Sequence, residues 1–338
     1  MKKIFINFVC MLLLVQAAFA GNIEVLPTMQ SKTNAQDRVW VGTFQLVWND
    51  FMDKYVHDTV KFIGGTPSSV LELNQQEIKA NDIDENCWYK YSGKIASSTK
   101  KNIENAIKKK FNETSDIIKQ LDFSPNPNRF IIYVMLKKDF KFINEFDKLG
   151  KSDFRDAKAD FFGISNKSDK KLQNGVTVLF YNSSSDFAVK LQTEGKDEVF
   201  LYRTPSTNQF NYIYSDMMKK ENLYRGNKYF VNKDELKIPN LKFYEEKSFS
   251  ELEGKRIKGT RLEIEKAIET VKFEMNNAGV KLKSEAAMTF RTTAINPKYT
   301  EKPRCFYFDD TFVVFLKEKN SSKPYFALRV HDITKFQK

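Results

Sequence analysis

Two histidines, three cysteines and a few adjacent acids are all that this 338-residue chain offers to nucleophilic, metal or acid–base chemistry. A hydroxyl nucleophile needs a base held against it. Neither His57 nor His331 lies in a local pattern of that kind, such as G-x-S-x-G. Zinc wants clustered Cys or His, which this spacing does not give. Asp309-Asp310 and Glu245-Glu246 are adjacent acids, but neighbours on a strand point to opposite faces, so neither pair is an acid/base couple. No phosphate-cradling or dinucleotide glycine motif occurs. The chain reads as a non-enzyme with no metal or cofactor. What stands out instead is Ser284-Glu285-Ala286-Ala287-Met288-Thr289, a run of mostly small residues ahead of a polar stretch rich in Thr, Lys, Arg and Pro.

The elements that must position this run can be read from periodicity. Lys2 and Lys3, an apolar run over residues 4–15 and Ala18-Phe19-Ala20 form an export signal cut after Ala20, too short to span a bilayer. That predicts a secreted or periplasmic protein without a membrane anchor. Residues 21–38 are polar and predict a loosely ordered start. Trp40, Phe44, Val47, Trp48 and Phe51 recur at helical spacing over residues 39–55. Pro67 opens a short helix. Ile103, Ala106, Ile107 and Phe111 give one face of a helix over 97–111, with lysines on the other. Ser115 suits a cap for a short helix through Ile117, Ile118 and Leu121. Residues 130–136 are a continuous apolar run that predicts a strand buried on both faces. Strand-like segments follow at 176–181, 187–191, 199–202 and 241–244, and residues 306–316 and 324–330 predict an aromatic hairpin. Residues 263–271 fit helix or strand equally. Helices early and strands late argue α+β, and residues 21–338 read as one continuous domain and a monomer.

Losing two lysines with the leader takes the net charge from +12 to +10. A basic surface attracts acidic polymers, and the densest cations are Lys100, Lys101 and the triplet Lys108, Lys109, Lys110. Export argues against a nucleic-acid partner. Cys87 and Cys305 survive export, where a disulfide is permitted, but sequence does not show that they meet.

Four segments, in order, resemble the serpin family. Ile117-Ile118-Lys119-Gln120-Leu121 followed by residues 129–137 is similar to the family's "I-x-x-L-L" helix end and "L-V-L-V-N-A-I-Y-F-K-G-x-W" strand, without its Asn and with Phe142 in place of Trp. Residues 187–204 are similar to two adjacent family strands. Leu236-Lys237-Ile238-Pro239-Asn240-Leu241-Lys242-Phe243 resembles the "L-P-K-F" strand, with Leu252 in the helix expected next. Residues 274–289 resemble the strand and hinge reading "E-E-G-T-E-A-A-A-A-T", with extra residues after Gly279. Phe308-Asp309-Asp310-Thr311-Phe312 and Pro324-Tyr325-Phe326-Ala327-Leu328-Arg329-Val330 match the closing hairpin.

The resemblance implies a large central sheet, smaller sheets, N-terminal helices and an exposed reactive-centre loop over about 284–304. It implies a suicide substrate of serine or cysteine proteases: the loop is cut, then inserts into the sheet and carries the acyl-enzyme with it. Ser284, Glu285, Ala286, Ala287, Met288 and Thr289 would be the hinge, with the cut within Ile295, Asn296, Pro297 and Lys298. With Glu285 outward, Ser284, Ala286, Met288 and Phe290 would point inward. Phe290 would then cost about 1–3 kcal/mol unless a pocket receives it. The alternative is a non-inhibitory serpin-like protein that binds a polyanion or protein ligand.

Overall fold

The structure, a computed structural model, describes residues 23–282 and 303–337. In chain order the elements begin with β1 (Glu24–Leu26), β2 (Arg38–Val41), α1 (Thr43–Phe51), α2 (Ser68–Leu73), β3 (Trp88–Ile95), α3 (Thr99–Phe111), β4 (Asn126–Leu136) and β5 (Lys138–Lys141). Next come β6 (Asp147–Phe154), β7 (Ala157–Ile164), β8 (Val176–Ser183), β9 (Asp186–Leu191), β10 (Asp197–Arg203), α4 (Phe210–Leu223), β11 (Glu235–Pro239) and β12 (Leu241–Ser248). The chain closes with β13 (Lys255–Arg256), β14 (Glu263–Ile264), β15 (Ile268–Asn276), β16 (Gly279–Leu282), β17 (Cys305–Tyr307), β18 (Phe312–Glu318) and β19 (Pro324–Val330).

The fold is α+β. A seven-stranded sheet runs β1-β2-β19-β18-β10-β9-β8, antiparallel except for β1 with β2. Every residue of β18 and β19 is buried, which is why Phe312 to Leu316 and Pro324 to Leu328 are apolar without alternation; the buried charges Lys317, Glu318 and Arg329 lie toward the strand ends. One four-stranded sheet runs β17-β11-β7-β6 and another β12-β15-β16-β5, while β4 pairs with β3. In α3, Ile103, Ile107 and Phe111 recur every fourth residue and pack on Tyr133 of β4. Asn112 ends that helix in the left-handed region at φ 54°, its amide donating to the Lys108 carbonyl. Among the described residues no helix is long and apolar enough to cross a membrane.

Several expectations change. The start is not loose: β1 pairs with β2, and Ile23, Val25, Leu26 and Met29 are buried, because four apolar residues among polar ones suffice to fill one face. The helix expected over 39–55 begins only at Thr43, since Arg38–Val41 pairs with β19 as an interior strand; it then runs on through a π-helical turn, Met52–Val56. Phe306 belongs to β17, parallel to β11, and not to the closing hairpin. Leu252 lies in turns, not a helix. Residues 268–276 are strand, which resolves the open reading of that segment. β4 is not buried on both faces. Tyr133 is buried but Phe130 is 40% exposed, and among the described residues the strand pairs only with β3.

Candidate functional site: a cleft between β4 and β15

β15 turns at Asn277-Ala278 into β16, which comes back antiparallel to it, pairing Met275 with Val280 and Glu274 with Lys281. The other edge of β16 pairs antiparallel with β5, Gly279 with Lys141 and Leu282 with Lys138. The four residues after Asn277-Ala278 therefore already lie between β15 and β5. Val280, Lys281 and Leu282 are the first of the extra residues noted after Gly279. The approach is tight at Gly279, where a Cβ would sit 2.2 Å from the Phe140 carbonyl oxygen.

Among the described residues no ladder joins β4 to β15. A cleft of about 750 Å³ occupies the gap, walled by β4 and β15 and capped by Leu282. Its floor is α1. Phe44, Trp48, Phe51 and Tyr55 recur at steps of four, three and four, so they share one helix face. Their rings run in contact, 6.5, 5.8 and 6.5 Å between successive centroids, and Tyr55 meets Phe130 of β4 at 5.2 Å.

One carboxyl lines this apolar space. Glu269 shares the inward face of β15 with Val271, Phe273 and Met275 and is 4% exposed. The Thr43 hydroxyl donates to its Oε1, whereas Oε2 has no hydrogen-bond partner among the described residues. Burial pushes its pKa up to about 8, opposed only in part by the Thr43 hydroxyl and the Phe44 amide. At the head of the cleft, Lys138 donates to both Asp197 and Glu318, and the Tyr325 hydroxyl donates to Asp197 over 2.8 Å.

The candidate residues read from sequence fall apart in space. Ser284, Glu285, Ala286, Ala287, Met288, Thr289, Ile295, Asn296, Pro297 and Lys298 lie outside the described residues, as does the export signal. Lys100, Lys101, Lys108, Lys109 and Lys110 are exposed on α3, away from the face that packs on β4; Lys110 donates to the Glu85 carbonyl. Cys87 and Cys305 are both free thiols, and burial raises that of Cys87. Thr311 Oγ1 lies 2.8 Å from His331 Nδ1, but the nearby Asp37 accepts the His331 backbone amide and does not orient the ring. Burial and the Arg155 and Arg329 charges lower the His331 pKa. Asp309 and Asp310 pair with Arg203 and Arg155. Glu269 and the aromatic floor were not singled out in the sequence, although Glu269 interrupts the alternating apolar face of 269–275, a signal that period two makes visible.

No family model matches the chain, and no curated protein matches it in sequence. Solved structures do. Serpin48, a highly specific serpin of the insect Tenebrio molitor, is similar at 13% identity and TM-score 0.49, over 90% of this chain and 94% of that one. Mouse protein-Z dependent protease inhibitor is similar at 15% identity and TM-score 0.42, over 73% and 74% of the two chains. Human thyroxine-binding globulin, in complex with its hormone, is similar at 11% and TM-score 0.41, over 69% and 64%. By their names these three are a serpin, a protease inhibitor and a thyroxine-binding protein.

Proposed function

We propose that the protein is an exported, serpin-like protease inhibitor in which the segment after Leu282, once cut, adds as a strand to the gap between β4 and β15. The observation that carries this is β16 itself: the chain entering the segment already runs between β15 and β5 and reaches the cleft at Leu282. Unpaired strand edges on either side of a gap are a template for strand addition.

The phase of β16 supports the hinge assignment. Val280 and Leu282 are buried and Lys281 is exposed. Alternation along a continued strand would turn Ser284, Ala286, Met288 and Phe290 inward and Glu285 outward. Continuing the β15 register would set Ser284 opposite Val271 and Ala286 opposite Glu269. Continuing the β5 register along β4 would bring Phe290 level with Phe130, beside Tyr55. The aromatic floor is the pocket that an inward Phe290 needs. In this reading the protein supplies bait and a receptive sheet, and the catalytic residues belong to the protease, with the cut falling within Ile295–Lys298.

The test is incubation of the mature chain with a panel of serine and cysteine proteases. An SDS-stable complex is expected with at least one, and a cut within residues 291–304 should raise the melting temperature. Cleavage by every protease with neither a complex nor a stability gain would sink the proposal. One feature favours a second reading, a binding protein for acidic polymers: five exposed lysines lie on α3, with only Glu104 as an acid among them.

A further inference from the structure

A buried carboxyl oxygen without a partner is costly, by an amount that an ionic donor would offset. Among the described residues the cleft supplies none to Glu269, which makes no ion pair: Lys137, Arg129 and Lys266 are engaged elsewhere, and the other two lining cations, Arg261 and Lys272, are exposed to solvent. Lys137 donates to the Phe111 carbonyl and pairs with Glu113. Arg129 bridges Asp122 and Glu265, and Lys266 pairs with Glu253. The other lining acids that carry partners, Asp122, Glu263 and Glu265, are bound by Arg129 or Arg256, which leaves Glu269 as the buried acceptor facing an apolar space.

The floor of the same space is a row of π faces and edges: Phe44, Trp48, Phe51 and Tyr55. Aromatic faces and a desolvated carboxylate are together the chemistry that holds an organic cation with an apolar body. An amine can take the Glu269 proton and pair with the carboxylate so formed, whereas an anion would meet an acid with no paired cation, and a neutral hydrocarbon would fill the cleft but leave Oε2 without a partner.

We propose that the cleft between β4 and β15 is a binding site for a small lipophilic amine, its ammonium paired with Glu269 and its apolar body lying on Trp48 and Phe51 of α1 and Tyr55 of the π-helical turn that follows it. An amine held there would occupy the space in which that segment is proposed to insert, so it would slow inhibition.

Calorimetric titration of the intact mature chain with hexylamine, hexan-1-ol and hexanoate tests this. Saturable hexylamine binding is expected, about 10- to 100-fold tighter than hexan-1-ol, with hexanoate weakest. In Glu269→Gln the amine should lose its advantage while hexan-1-ol binding is kept. Glu269→Leu is the second variant, removing the carboxyl without any polar replacement, and should behave the same way. Equal affinity for amine and alcohol in the wild type, an amine preference that survives in both variants, or no saturable response would each overturn the site. Complex formation with a protease is a separate readout, so failure here leaves the inhibitory reading standing, and the reverse also holds.

Discussion

Lys138 Nζ donates to Asp197 Oδ1 over 2.9 Å at the head of the cleft, with 2% of the lysine side chain exposed. Glu318 shares the same ammonium, and Tyr325 donates to the same aspartate. Lys138 is also the β5 residue that pairs with Leu282, the last residue of β16. The ion cluster therefore anchors the strand against which β16 is laid. Removing one member leaves the others buried without compensation. Lys138→Ala is expected to destabilise by about 3–5 kcal/mol in urea unfolding, and Lys138→Met combined with Asp197→Asn by clearly less. Equal losses would show that the cluster acts through packing alone.

Glu269 predicts a pH dependence with a definite sign. Its folded pKa of about 8 lies above the ordinary 4.5, so between those values the folded state keeps a proton that the unfolded state has released. The contribution is fully present below about 4.5 and is lost as pH rises through about 8, at about 1.4 kcal/mol per pH unit. Stability of Glu269→Gln should fall less steeply than wild type over that window. Parallel stability profiles would show that the carboxyl is solvated in the folded protein.

If the segment after Leu282 inserts with the phase of β16, Ala286 faces inward opposite Glu269. Ala286→Trp should then block insertion without protecting the loop from cleavage. The expected outcome is a cut chain with no SDS-stable complex and no gain in melting temperature. Glu285→Gln, outward in the same phase, should inhibit like the wild type. A variant at 286 that still forms the complex would refute the phase.

Gly279 lets β16 approach β5 so closely that a side chain would strike the Phe140 carbonyl oxygen. Gly279→Ala is expected to cost about 1–3 kcal/mol, the range for overpacking. Hydrogen exchange should show weakened protection in β16 and β5 before β15 and β12.

Replacing Lys100, Lys101, Lys108, Lys109 and Lys110 by Gln should leave stability within about 0.5 kcal/mol, since all five are exposed. If the second reading holds, elution from a sulfated matrix moves to lower salt. Unchanged elution would remove α3 from consideration as a polyanion surface.

Local pattern was enough for much of this fold. The spacing of Ile103, Ile107 and Phe111 gave α3, and the unbroken apolar runs gave β18 and β19, because burial of a face or of a whole strand is written residue by residue. α4 went unread because its buried set, Phe210, Ile213 and Met217, is thin among polar neighbours. Glu269 was legible as a charge on an apolar face of alternating residues, but its meaning was not. Whether such a carboxylate is paired depends on what the fold brings against it, and here that is Thr43, 226 positions away. The same holds for the cleft. The sequence of 130–136 determined a strand, but only the tertiary structure decided that, among the described residues, its one partner is β3. That outcome depends on long-range pairing: over its described residues β16 joins β15 to β5, not to β4. Strand-edge pairing is set by non-local register, which no local pattern encodes.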